Sequence, residues 1–125
     1  MRRQAGLAAA LLVGAAASLG AQGGAPRDTV IRRGDRAIHH ESMRGEREWG
    51  YAQSVVVGST IHVSGTIGRG ATMEEQVAAI YRRLARTLAV HGATLQDVVK
   101  ETVYTRDMDD LAAANAARKA AYGTH

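Results

Sequence analysis

Two β-branched runs constrain this chain more than any other feature. Ser54-Val55-Val56-Val57 and Thr60-Ile61-His62-Val63-Ser64 are separated only by Gly58-Ser59. A two-residue connection forces antiparallel pairing, and glycine at its first position suits a type II′ turn. In the second run Ile61 and Val63 share one face, while Thr60, His62 and Ser64 share the other.

The hairpin feeds a glycine loop, Gly65 to Gly70, and then a helix. Thr72-Met73-Glu74-Glu75 reads as a capping box, with Thr72 as N-cap and Glu75 three residues on. Val77, Ile80, Tyr81, Leu84 and Leu88 follow at helical spacing, and His91-Gly92 marks the end. Val98 to Thr105 alternates in character and is expected as a strand. Asp107 is expected to cap a second helix, Met108 to Tyr122, closed by Gly123. Upstream, Thr29 to Met43 is expected to hold a first strand over Ala37–Met43. The order is β, β-hairpin, α, β, α, with a right-handed βαβ unit around the first helix. A sheet-packed second helix normally leads into a further strand. Only Thr124 and His125 follow, so the domain reads as C-terminally incomplete.

The N-terminus has another character. Arg2 and Arg3 precede an apolar run, Ala5 to Ala17, and Ser18-Leu19-Gly20-Ala21 offers small residues to a peptidase. This is the pattern of an export signal over residues 1–21, and the run is too short to span a bilayer. Residues 22–36, with the single proline Pro26, are expected as a linker and poorly ordered segment. Signal removal leaves 104 residues, enough for one domain with a modest core. It also takes two arginines, so the formal charge falls from +4 to +2. Charges of both signs alternate from Arg27 to Glu48, whereas a nucleic-acid stripe is one-sided. With no Phe, one Trp and four Tyr, stacking partners for bases are scarce. The absence of cysteine excludes thiol catalysis and Cys-based zinc sites.

Several segments together resemble one family. Trp49-Gly50-Tyr51-Ala52-Gln53, Val57-Gly58-Ser59, Val63-Ser64-Gly65, Gly92-Ala93-Thr94-Leu95-Gln96-Asp97-Val98-Val99-Lys100, Thr102-Val103-Tyr104 and Asp107-Met108 occur in the order and spacing of the RidA (YjgF, reactive intermediate deaminase) family, with Asn115 in the second helix. The resemblance runs from about Gly50 to Tyr122. It implies an α+β, chorismate-mutase-like fold over residues 37–125, assembled as a homotrimer with clefts between subunits. It also implies hydrolysis of small 2-imino acids, or their enamine tautomers, to 2-oxo acids and ammonia, with no metal or organic cofactor.

Water attack on a C=N carbon needs a group that orients the water and accepts its proton. The substrate carboxylate needs a fixed cation, best a bidentate arginine. In the family that arginine and a glutamate lie on strands after the second helix, positions that would fall beyond His125, so no catalytic residue is assigned. The resemblance leaves four substrate-binding positions: Tyr51, Ser64, Gly65 and Asn115. Tyr51 can offer its phenol, and Gly65 lets a backbone N–H approach a ligand. Each position also has a plainer reading: Tyr51 as an edge aromatic, Ser64 as a strand-end hydroxyl bonded to its own loop, Asn115 as a partner of nearby backbone.

Other constellations carry less. Gly65-Thr66-Ile67-Gly68-Arg69-Gly70 lacks the Gly-Lys-Ser/Thr of a phosphate loop, and Glu74 and Glu75 would repel an anion at the helix start. It reads as a pocket-shaping loop in which Arg69 is solvated. His39-His40, His62, His91 and His125 lack ligand spacing, so no metal site is expected. His91 is expected at the helix C-terminus, and His62 beside the pocket or exposed. No Ser-His-Asp order and no GxSxG suggest a hydrolase. Two functions from different classes remain, an imine/enamine deaminase and a non-catalytic binding or assembly protein, with ribonuclease activity third. Export would separate the protein from the cytoplasmic pyridoxal-phosphate enzymes that generate the family's substrates.

Overall fold

A computed structural model of the chain describes residues 28–123. The expected export signal, residues 1–21, and residues 22–27 of the expected linker lie outside the described residues. The remainder of that linker, residues 28–36, holds a strand, a turn and the start of a second strand. Thr29–Arg33 (β1) pairs antiparallel with Arg36–His40 (β2), from Thr29 opposite His40 to Arg33 opposite Arg36. Gly34-Asp35 turns the pair, and Gly34 takes the left-handed φ of +59. The strand expected over Ala37–Met43 is therefore shorter and starts earlier, because Met43–Trp49 forms a helix, α1.

Ser54–Val57 (β3) and Thr60–Val63 (β4) form the expected hairpin, with Val57 opposite Thr60. Gly58 has φ +59 while Ser59 keeps a negative φ, as a type II′ turn requires. β2 pairs with β3, so the four strands make one antiparallel sheet in the order β1-β2-β3-β4. The register places His39, Ser54 and Val63 in one cross-strand row, beside Ala37, Val56 and Ile61. The other face carries Ile31, Ile38, Val55 and His62 in a row.

Helix α2 runs from Met73 to Ala89. Its N-cap Thr72 accepts from Glu75 N–H, and the Glu75 carboxylate reaches back to the Thr72 N–H, completing the capping box. Val77 and Tyr81 are buried against Ala114, with Met73, Leu84, Leu95 and Leu111 packed around them. The buried apolar cluster of Val77, Tyr81 and Ala114 thus lies among helices.

The second expected helix is two. Asp107 caps Met108–Ala113 (α3) by accepting from Asp109 and Asp110 N–H, and Asn115–Tyr122 (α4) follows. The break falls at Ala114, the most buried alanine, where Ala117 N–H reaches only three residues back to the Ala114 carbonyl. The strand expected over Val98–Thr105 does not form, and with it the βαβ unit is lost. Leu95–Asp97 is a single 3₁₀ turn, and the chain beyond it is irregular up to α3. A strand requires a ladder partner, and this segment has none among the described residues. Val99 is 99% exposed, and the Glu101 side chain bonds to helices instead. The architecture is α+β, an antiparallel four-stranded sheet with helices.

Candidate functional site

Three of the four positions drawn from the family resemblance gather where β4 ends. Ser64 N–H donates to the Gln53 carbonyl at 2.9 Å, and Ser64 Oγ donates to the Ala52 carbonyl at 2.5 Å. These bonds zip the start of the glycine loop onto the segment that enters β3. Tyr51, beside Ala52, is 44% exposed, and Gly65 is exposed with open space where a Cβ would stand. With its proton spent on Ala52, Ser64 keeps only lone pairs for a ligand and can accept a hydrogen bond. Asn115 sits apart from this group, exposed on the first turn of α4 in the helical layer. His62 is exposed on the strand face opposite Val63.

The Ala52–Ser54 segment is held by a buried carboxylate. Glu46 on α1, 2% exposed, accepts from Glu41 N–H and Ser42 N–H at 2.8 Å each through Oε1. Its Oε2 accepts from His40 Nδ1 at 2.7 Å and from Gln53 N–H at 3.2 Å. Arg83 on α2 adds a second tie, donating to Glu41 and to Gln53 Oε1. A buried charge is tolerated only with such complete pairing.

Behind this segment lies a group that the sequence did not reveal. His39 Nε2 is 2.8 Å from Asp28 Oδ1, and His39 Nδ1 is 3.1 Å from Ser54 Oγ. Ser54 Oγ is also 2.8 Å from His91 Nε2, and the two imidazoles meet edge to face. An Asp-His-Ser order thus exists in space, although the sequence offers no triad pattern. Ser54 has 0% exposure, so no carbonyl can reach it, and the group is structural. Burial, then His39, then Arg32 hold the His91 pKa below its ordinary value. A strand was expected over Ala37–Met43 and another over Ser54–Val57. The pairing of those two strands was not.

Two open hollows lie elsewhere. One, about 290 Å³, lies between 98–101 and α4, where Lys100, Glu101, Arg118 and Lys119 contribute charge. Glu101 accepts there from Tyr81, Tyr122 and Arg118. The other, about 510 Å³, borders Arg69, Glu74, Glu75 and Arg82 at the start of α2. Tyr51, Ser64, Gly65 and Asn115 line neither. Among the described residues no cluster of three or more metal-ligating side chains occurs, and no helix is long and apolar enough to cross a membrane.

Comparison with known proteins bears on this geometry. Residues 45–125 match the family described as Endoribonuclease L-PSP. The chain is 33% identical over 73 residues to a protein of Dermatophagoides farinae named 2-iminobutanoate/2-iminopropanoate deaminase, covering 52% of this chain and 57% of that protein. It is 35% identical over 74 residues to the RutC family protein PYRAB12510 of Pyrococcus abyssi (strain GE5 / Orsay), covering 52% and 58%. The chain therefore spans little more than half the length of these curated relatives. Its fold is similar to the crystal structure of Rv2704 from Mycobacterium tuberculosis, a member of the YjgF/YER057c/UK114 family, with a TM-score of 0.66 and 29% identity, covering 71% of this chain and 75% of that one.

Proposed function

We propose a function from the premise that this chain belongs to the RidA (YjgF) family, the family described as Endoribonuclease L-PSP: it hydrolyses small 2-imino acids, or their enamine tautomers, to 2-oxo acids and ammonia. The observation that carries this reading is the 33% identity to a protein named for that deamination. The strand end is compatible with it. Ser64 can accept a hydrogen bond from a water or a substrate N–H, Tyr51 is half-exposed next to Ala52 in the chain, and Gly65 leaves room for a ligand against the backbone.

The same reading includes self-association as a trimer and export. The half-buried apolar row Ile31, Ile38 and Val55, on the sheet face away from His91, supports assembly. The Arg2-Arg3 start and the apolar run from Ala5 to Ala17 support export.

The test is ammonia and 2-oxo acid release from freshly generated 2-iminobutanoate by the purified chain. Release above the uncatalysed rate, reduced by Ser64→Ala and Tyr51→Phe, is expected. A rate equal to that of buffer alone overturns the reading.

A further inference from the structure

We propose that Ser54, held between His39 and His91, closes a pH-sensitive clasp that pins the C-terminal end of α2 to β2 and β3 at neutral pH and releases it on acidification. The clasp goes beyond the proposed activity and does not rest on it.

The proton arrangement follows from what each atom can do. An ionised Asp28 only accepts, so His39 Nε2 carries a hydrogen toward it. In the neutral ring His39 Nδ1 is then an acceptor, and the Ser54 hydroxyl donates to it. The Ser54 oxygen is left to accept from His91 Nε2–H. Four elements are joined in one directional chain: the approach to β1, β2, β3 and the turn after α2. With both rings neutral, every proton in the chain has an acceptor.

A further proton breaks this order. On His91 it places a cation 5.7 Å, ring centre to ring centre, from His39 and in the field of Arg32. The charged and titratable groups facing His91 are therefore His39 on β2 and Arg32 on β1, with Asp28 engaged at the far nitrogen of His39. His91 titrates below its ordinary value of 6.5 in the closed clasp. The open form then binds more protons than the closed one as pH falls, and linkage favours opening below about 6.5.

Opening exposes the turn whose amides report it. His91 and Ala93 N–H both donate to the Leu88 carbonyl, and Gly92 N–H donates to Ala89. Hydrogen exchange on the full chain at pH 7.5 and 5.0, corrected for intrinsic rates, should show protection at these three amides falling relative to mid-α2 amides. His91→Gln keeps an N–H donor for Ser54 but cannot titrate, and its protection should be the same at both pH values. Unchanged protection in the natural chain, or an equal fall in His91→Gln, overturns the proposal. If His91→Gln does not fold, the ring-proton NMR titration of His91 in the natural chain decides. A midpoint below 6.5 supports the clasp, and one at or above 6.5 overturns it.

Discussion

Glu101 and Tyr122, 21 residues apart, meet at 2.6 Å between Oε2 and the phenol hydroxyl. The same oxygen accepts from Tyr81 at 3.0 Å, and Oε1 takes Nε and a terminal nitrogen of Arg118. One carboxylate on an irregular segment thus fastens itself to α2 and α4. Burial pushes the Glu101 pKa up, but the bonds from Tyr122, Arg118 and Tyr81 outweigh it and hold the group below its ordinary value. Tyr122 is raised, first by burial and then by Glu101.

Glu101→Gln should therefore cost about 1.5–3 kcal/mol in urea unfolding at pH 7, the range for hydrogen bonds to a charged group. Tyr122→Phe should cost about 1.5 kcal/mol, the low end of that range, since the carboxylate stays paired with Tyr81 and Arg118. Equal stability of Glu101→Gln and the natural chain would mean that segment 98–106 is not fastened this way.

A pH dependence follows with a definite sign. The folded pKa of Glu101 lies below its unfolded value near 4.5, so its contribution is fully present above that value. It is lost as pH falls from about 4.5 through the lowered folded pKa. Melting temperatures measured from pH 6 to pH 3 should fall less steeply in Glu101→Gln than in the natural chain.

These contacts show what the sequence could carry. The Thr72 capping box and the Gly58-Ser59 hairpin are local, decided within four to six residues, and both stand where the residues put them. Val98–Thr105 has the alternation of a strand, but a strand is a relation to a partner, and Glu101 meets helices instead. The break at Ala114 has no local breaker and follows from its burial against Val77 and Tyr81. Tyr51, Ser64 and Gly65, drawn from the ordered family motifs, come to one strand end through the Ser64 bonds to Ala52 and Gln53. The acceptor-only state of Ser64 depends on the Ala52 carbonyl, which no motif encodes. Glu46 and His39 lie in a mixed-charge stretch that gives no sign of burial, and α1 and the strand register bury them.

Glu46 is the most heavily used carboxylate in the sheet layer, accepting from three backbone N–H groups and His40. Glu46→Ala leaves those buried donors without an acceptor and should cost about 3–5 kcal/mol, as for a broken buried pair. Glu46→Gln should cost less, because one amide oxygen still accepts. Denaturant midpoints of the two variants, compared with the natural chain, check the order.

The glycine loop gives the last prediction its contrast. A Cβ at Gly68 would stand 2.0 Å from the Gln76 carbonyl oxygen, backbone that cannot swing aside. Gly68→Ala must therefore lift the loop off α2, an overpacking that costs about 1–3 kcal/mol. At Gly65 an added Cβ meets nothing within 4 Å, so Gly65→Ala should change stability by less than about 0.5 kcal/mol. Under the proposed function its methyl would stand in the substrate's approach beside Ser64. Thermal unfolding and imine hydrolysis, measured on both variants, should separate them: Gly68→Ala loses stability first, and Gly65→Ala loses turnover at nearly native stability.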